Sequence, residues 1–363
     1  MAEKKKKGFG HFLFGLTART FMLMNAGVLI LSYLSMYVNP AEAWFMTIFG
    51  LLFIVFFIVN LLLLIWALRR HSGSFVIPLL ALFPSVFLIG RYIQFSGHDE
   101  VTEDSVTLVD FNVGKFAMYP SHSRLESVEA CRDSVFAFLR GTGADIICLQ
   151  EFRGPKGVEV EDFFSEVMPG YNVEDYTHIT GRGYFGNIIL SRFPVVGQGK
   201  FDFEESSNQA HYADLDIGGE VLRVYNCHFE SYSLSIPRLV KAFTSREDGK
   251  VQEAEEKMRN SITRHPQQVD KVLDDIKDSP VESIVTGDFN DTPISYTYQQ
   301  LQRGNKYSFI EAGKCMGGTY SGLWPFIRID YVLLPEKCDA LYHKVERKRF
   351  SDHYPIVTRL KIN

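Results

Sequence analysis

The 363-residue sequence lacks the cysteine patterns that mark zinc sites and disulfide-bonded frameworks. It has five cysteines, an odd number, and none of them forms a CxxC pair. Cys148 and Cys227 fall inside apolar runs with strand character, where cysteine behaves as a small core residue. The cysteines therefore predict core packing, and they argue against a zinc site or a disulfide framework.

After the first hundred residues, acidic side chains outnumber cations. From residue 101 onward, Lys and Arg number 30 and Asp and Glu number 39. Nucleic-acid binding without sequence preference depends on neutralising phosphates with cations, so this acidic part of the chain is a poor candidate for it. A short nucleic-acid substrate is still compatible with the charge.

Long hydrophobic runs are confined to the first hundred residues. They cover about residues 20–38, 43–68 and 74–95, and each is near the ~20 residues that a helix needs to cross a bilayer. They predict a membrane domain of residues 1–98 with three transmembrane helices, followed by a second domain of residues 99–363. A cleaved secretory signal is the alternative for the first run, but two more apolar runs follow it.

The cations near these runs predict an orientation. Lys4 to Lys7 precede the first run and Arg69 and Arg70 follow the second, whereas the loop between them carries only Glu42. The positive-inside rule therefore places the N-terminus in the cytoplasm. Three crossings of a bacterial inner membrane would then leave residues after Phe95 in the periplasm or outside the cell. A transporter is disfavoured, because the runs lack internal repeats and midplane charges.

One stretch after the apolar runs has the pattern of a reactive site. Residues 281–293 read VESIVTGDFNDTP, which predicts a buried strand that ends at Gly287 and delivers Asp288 and Asn290 at its carboxyl end. An acid that polarises a water and an amide that orients it suit attack on a phosphate or an acyl group. Gly-Asp-x-Asn also forms ordinary turns, so this pair alone does not decide the function.

Other strands end in the same way. Six further polar side chains lie at or near predicted strand ends: Asn112, Glu151, His228, Asp330, Asp352 and His353. A solvated strand end is the plain alternative for Glu151, because exposed carboxylates are common. If these ends converge, their oxygens suit Mg²⁺ or Mn²⁺ and the two histidines suit a phosphate. Zinc is disfavoured, since the sequence has no HExxH motif.

The motifs FNV, LQE, NCHFES, GDFND, RIDYVLL and SDHYPI occur in this order. Together they resemble the endonuclease/exonuclease/phosphatase superfamily of metal-dependent phosphoesterases, over about residues 105–363. The resemblance implies an α+β, deoxyribonuclease I-like fold, in which two mostly antiparallel sheets pack face to face with helices outside. It also implies hydrolysis of a phosphodiester or phosphomonoester by an activated water, on a lipid-linked, nucleotide or nucleic-acid substrate. No protein partner can be inferred.

The resemblance also implies roles for single residues. Glu151 resembles the main metal-binding carboxylate of the family, and Asn112 resembles the amide beside it that contacts metal or phosphate. Asp352 would help to hold the metal or share the role of the base. Apurinic endonucleases carry a tyrosine in place of His228 and often an acidic residue in place of Gly114. These two departures disfavour a role in DNA repair.

The remaining roles concern the reacting groups. Asp288 resembles the residue that activates the attacking water, and Asn290 resembles its orienting partner. His353 resembles the histidine that stabilises the transition state, with Asp330 holding and charging its imidazole. His228 matches a second histidine that contacts the phosphate.

The substrate is the least determined feature of the sequence. Tyr320, Trp324 and Arg328 are candidates to line the site because they precede Asp330, although a structured turn fits these residues equally well. A membrane-anchored nuclease is an alternative function. A catalytically silent binding module of the same fold is another, since a fold does not imply an activity.

Overall fold

The computed structural model describes residues 9–95, 104–116, 127–232 and 248–363. The chain divides into two compact units. One holds the chain up to Ile89 together with Ile294–Tyr296, and the other holds Gly90–Pro293 and Thr297–Asn363. The predicted domain boundary at residues 98 and 99 and the basic stretch Lys4 to Lys7 lie outside the described residues.

The first unit is helical. Its helices are α1 (Phe9–Leu34), α2 (Phe45–Leu51), α3 (Phe53–Arg69) and α4 (Val76–Leu82). Two buried side chains form hydrogen bonds between these helices: Asn60 of α3 donates to the backbone oxygen of Asn25 at 3.0 Å, and Tyr33 of α1 donates to that of Ala81 at 3.0 Å. Residues Leu13–Leu34 form one apolar helix of 22 residues, which fits a membrane span or a signal anchor by length and composition.

The prediction of three transmembrane helices is wrong for the described residues. Only Leu13–Leu34 is a continuous helix of sufficient length there, and α2 and α3 could form a second, broken span because they are bent by 58° at Leu52. The third predicted run forms the seven-residue α4 and then a 3₁₀ segment, Phe83–Phe87. Pro84 lies in that segment and has no amide hydrogen to donate to an α-helix, which accounts for the break.

The second unit contains two large sheets. Its described strands are β1 (Ile93–Gln94), β2 (Val106–Asn112), β3 (Ile146–Arg153), β4 (Asn172–Thr180), β5 (Gly183–Ser191), β6 (Val195–Asp202), β7 (Gln209–Ile217), β8 (Glu220–His228), β9 (Ser283–Asp288), β10 (Lys306–Tyr307), β11 (Cys315–Met316), β12 (Asp330–Leu334), β13 (Cys338–Val345) and β14 (Ile356–Ile362). The strand orders are β13-β14-β2-β3-β5-β4 and β10-β12-β9-β8-β7-β6. The pairs β2–β3 and β8–β9 are parallel, and the other pairs in these two sheets are antiparallel. The predicted two-sheet α+β fold is confirmed.

Helices flank the sheets. They are α5 (Val128–Thr142), α6 (Val160–Val167), α7 (Asp248–Asp278), α8 (Tyr296–Gln302) and α9 (Ser308–Ala312). Ser127 caps α5 by accepting from the amide of Ala130 at 3.1 Å, and Gly143 ends that helix in a left-handed conformation. Pro266 lies inside α7, which continues through it.

The main core lies between the two sheets. Leu108 and Cys148 of the first sheet pack there with Val224, Ile284 and Val332 of the second, all of them fully buried. Each aliphatic side chain removed from water in this way contributes roughly 1.5–3 kcal/mol. Strands buried on both faces need continuous apolar sequence, and this explains why the polar residues appear where the strands end.

Candidate active site

The strand register places three of the predicted site residues side by side on adjacent strands. At the carboxyl ends of β8 and β9, His228 pairs with Asp288, and Asp288 pairs in turn with Asp330 at the start of β12. Gly287, just before Asp288, has a φ of 131°, and a Cβ built on it would lie 1.9 Å from the backbone oxygen of Cys227. Glycine is therefore required for β8 and β9 to approach this closely.

Asp288 is 1% exposed and is held from three sides. Its Oδ2 accepts from Asn112 Nδ2 at 2.9 Å and lies 3.6 Å from His353 Nε2, and its Oδ1 accepts from the amide of Asn290 at 2.9 Å. Burial, reinforced by the charge of Asp330, raises the pKa of Asp288 to about 7 against the opposing effects of His353 and the two hydrogen bonds. Asp288 can therefore exchange a proton near neutral pH.

Asp330 and His353 form a buried pair. His353 Nδ1 lies 2.9 Å and 3.0 Å from the two carboxylate oxygens of Asp330. Burial lowers the pKa of His353, but the charges of Asp330 and Asp288 outweigh it and hold that pKa well above its usual value. The imidazole is therefore a cation, with Nε2 directed toward Asp288.

Glu151 lies on a bulge in β3. The register of β3 with β5 shifts between Leu149 and Phe152, and Glu151 has a left-handed φ of 50°. Its Oε2 is 2.9 Å from Lys115 Nζ and its Oε1 is 3.9 Å from His228 Nε2. Burial alone would raise the pKa of Glu151, but His228 and Lys115 lower it below its usual value, so the carboxylate is ionised.

His228 has the opposite protonation tendency to His353. Burial lowers the pKa of His228, and the positive charges of His353 and Lys115 add to that effect, while Glu151 partly opposes it. Its Nε2 lies 3.8 Å from Asp288 Oδ2. The two histidines are thus distinct, because His228 is neutral and His353 is charged.

Asn112 links the two sheets at the site. In addition to donating to Asp288, its side chain accepts from the amide of Gly114 at 3.0 Å. Asn290 has a left-handed φ of 52° and donates from Nδ2 to the backbone oxygen of Phe229 at 3.0 Å. Asp352 accepts from the hydroxyl of Ser351 at 3.1 Å.

The donor chemistry fits a divalent cation that prefers oxygen. Ligand atoms of Asp288, Asp330 and His353 lie within 4.8 Å of one another. His353 Nδ1 is already hydrogen-bonded to Asp330. We therefore interpret these three residues as an ion pair of Asp330 and His353 that lies beside Asp288, and not as a set of metal ligands. Glu151 is ionised and partly exposed, so its carboxylate is the more accessible oxygen donor for such a cation.

The three candidates for substrate contact lie in different surroundings. The backbone of Tyr320 bridges to His353, and their rings meet edge-on at 5.7 Å. Trp324 is 38% exposed and is covered by the guanidinium of Arg347 at 4.0 Å. Arg328 is 2% exposed and donates to the backbone oxygens of Gly317 at 2.5 Å and Arg91 at 2.7 Å. Tyr320 therefore lies at the site, in contact with His353. Arg328 is instead buried, where it binds two backbone oxygens.

Two residues at the site were missed in the sequence. Lys115 forms the ion pair with Glu151, and its only sequence signal is a cation just after the Asn112 strand end. Asp110 is fully buried in β2 and accepts from Gln150 Nε2 at 2.8 Å, and burial raises its pKa well above the usual value. A lone acid inside the apolar run VTLVDFN was the available signal for Asp110.

A model of the Endonuclease/Exonuclease/phosphatase family matches residues 111–353, which span Asn112 to His353. The chain belongs to this family. Residues 12–92 match a second model, described as Domain of unknown function (DUF8431). No curated protein matches the chain.

Solved structures share the fold of the family domain. A family protein from Bacteroides thetaiotaomicron is 17% identical with a TM-score of 0.51, over 73% of this chain and 99% of its own. One from Bacteroides vulgatus is 18% identical with a TM-score of 0.52, over 71% and 99%. The catalytic domain of human Nocturnin with bound sulfate is 14% identical with a TM-score of 0.50, over 73% and 97%. These identities show a common fold only.

Proposed function

We propose that the chain is a divalent-metal-dependent phosphoric ester hydrolase that uses water as the nucleophile. The observation that carries the proposal is the buried contact of Asp288 with His353, in which an acid that titrates near neutral pH lies 3.6 Å from a charged imidazole. A base for water and a cation for the phosphoryl oxygens are thus side by side. Membership of the family supports the same class of reaction.

The chain's own residues account for the proton and the charge. Asp288 accepts a proton as the water oxygen bonds to phosphorus, and the amide of Asn290 holds the Asp288 carboxylate in place. The Nδ2 of Asn290 is engaged by Phe229, so its Oδ1 is the side-chain atom that can orient the water. His353 donates from Nε2 to a non-bridging oxygen, and the bond from phosphorus to the leaving oxygen breaks with its electron pair on that oxygen.

Glu151, with Asn112 and Asp352, would hold the metal ion. When bound, Mg²⁺ or Mn²⁺ supplies positive charge to the phosphoryl and leaving oxygens. The ionised state of Glu151 favours cation binding, because a protonated carboxyl would have to lose its proton first.

The test is hydrolysis by the full-length protein in detergent with Mg²⁺, on an aryl phosphodiester, an aryl phosphomonoester, nucleotides, sphingomyelin, phosphatidylinositol phosphates, plasmid DNA and RNA. We expect turnover of at least one class and its loss in Asp288→Asn. Preferred cleavage of DNA or RNA would favour the nuclease alternative. Tight binding of these compounds without turnover would overturn the proposal in favour of a silent binding module.

We also propose that the apolar N-terminal part tethers the enzyme to a bacterial inner membrane with the family domain outward. The helix Leu13–Leu34 supports the tether. With a cytoplasmic N-terminus, an odd number of membrane crossings places the family domain outside. One span therefore gives the outward orientation. A second span formed by the bent pair α2 and α3 would place the domain in the cytoplasm. A phosphatase reporter fused after Asn363 should be active. An active cytoplasmic reporter at the same position would contradict this orientation.

A further inference from the structure

Two cations and an aromatic ring lie next to Glu151. Beyond the bulge, Arg153 of β3 pairs directly with Phe185 of β5, so their side chains share one face of the sheet. The guanidinium carbon of Arg153 is 5.9 Å from the centroid of the Phe185 ring. Lys115 Nζ is 5.4 Å from the same centroid and 2.9 Å from Glu151. One ring thus contacts two cations, and one of them, Lys115, is paired with Glu151.

Among the described residues, Arg153 has an aromatic partner but no carboxylate partner. No carboxylate forms an ion pair with it there, and its buried Nε has no hydrogen-bond partner. Because that Nε is buried, a ligand would have to bind through the terminal nitrogens of the Arg153 guanidinium. Its guanidinium can hold a phosphate through two parallel hydrogen bonds.

Lys115 lies between the ring that Arg153 contacts and Glu151. Its side chain is 42% exposed and its backbone is left-handed, with a φ of 62° between the left-handed Gly114 and Phe116. This local turn directs the ammonium group to Glu151. A divalent ion would compete with that group for the Glu151 carboxylate, which would leave Lys115 available to an anionic ligand.

We propose that Lys115 and Arg153 bind a second phosphate adjacent to the one that is hydrolysed. The substrate class is a phosphate ester with two phosphoryl groups a short distance apart, either joined as a pyrophosphate or carried on neighbouring hydroxyls. The assignment rests on the proposed hydrolase activity at the same site.

The first test is calorimetric binding of inorganic pyrophosphate and orthophosphate to the full-length protein, with and without Mg²⁺. The native protein should bind pyrophosphate more tightly. In Arg153→Gln, the ratio of the two affinities should fall about tenfold, because a charged hydrogen-bonding partner is lost. Arg153→Lys should recover part of it. Lys156→Gln, which removes an exposed cation three residues further on, should leave the ratio unchanged.

Equal affinities in the native protein, or an unchanged ratio in Arg153→Gln, would overturn the inference. A second arm compares turnover of a nucleoside diphosphate with that of an inositol bearing phosphates on neighbouring hydroxyls, and so identifies the source of the second phosphate. Tighter binding of pyrophosphate than of orthophosphate, without turnover of any substrate, would contradict the proposed hydrolase activity and support the second phosphate site. Turnover whose KM is insensitive to Arg153→Gln for both substrates would support the hydrolase and contradict the subsite.

Discussion

Asp288 and His353 owe their shifted pKa values to a shared buried position. The carboxyl loses solvation and the imidazole gains the charge of two acids, so their pKa values move upward together. If Asp288 is the base for the attacking water, Asp288→Asn should lower kcat by about 10²- to 10⁴-fold while the protein stays folded. Steady-state kinetics with circular dichroism would measure both effects.

The matched control for that substitution is Asp133→Asn. Asp133 is 76% exposed on α5 and its one described ion pair, to Arg132, is long at 3.9 Å. Its activity should stay within about twofold of the native value, because exposed ion pairs contribute little. An equal loss of activity in both variants would show that the loss in Asp288→Asn does not come from the missing carboxylate at the site.

The pH profile should depend on the same pair. A base with a pKa of about 7 must lose its proton, so kcat/KM should rise with pH through about 7 and fall when His353 deprotonates at higher pH. Asp330→Asn removes a charge that raises both pKa values. Both limbs of the profile should therefore move to lower pH. An alkaline limb that does not move would contradict the assigned role of Asp330.

Strands β8 and β9 can deliver their polar ends only because Gly287 has no side chain. Gly287→Ala would place a Cβ 1.9 Å from the oxygen of Cys227 and strain a φ of 131°. The combined clash and strain should cost roughly 3–5 kcal/mol and abolish activity. Gly249→Ala in α7 meets nothing within 4 Å and should be neutral in a thermal melt. A stable, active Gly287→Ala protein would refute the strand geometry.

The segment around β1 is fastened by two arginines. Arg328 donates to the backbone oxygen of Arg91, and Arg91 donates to that of Pro293 at 2.8 Å, three residues after Asn290. Arg328→Ala leaves two backbone oxygens without their donors, which should cost about 3 kcal/mol and lower Tm by roughly 5–10 °C.

Arg328→Lys separates this structural role from substrate contact. It keeps the charge but cannot form both hydrogen bonds, so it should also melt early while KM stays near the native value. A raised KM with an unchanged Tm would instead restore Arg328 as a substrate-binding residue.

At the scale of the whole molecule, strand ends were the predictable part of the site. Apolar strands that finish in Asp288 or His228 are visible as runs, and parallel pairing brings such ends to one edge. Arg328 was predicted to contact the substrate because it is close in sequence to Asp330. Its side chain instead donates to the backbone oxygen of Gly317. Lys115 depends on a left-handed turn that no periodicity reports.

The membrane part was less predictable, because hydropathy counts apolar residues and does not report where a helix ends. Pro84 and the bend at Leu52 divide two of the three apolar runs. The two-sheet fold was predictable from the six ordered motifs, because the family that they resemble has this fold.

Dependence on a divalent cation is the most direct test of the central claim. Full-length protein would be stripped with a chelator and assayed on its best phosphate ester before and after Mg²⁺ or Mn²⁺ is added back, with Glu151→Gln in parallel. We expect turnover to disappear with the chelator, to return with the metal, and to need far more metal in Glu151→Gln. Full turnover in the presence of the chelator would contradict the account.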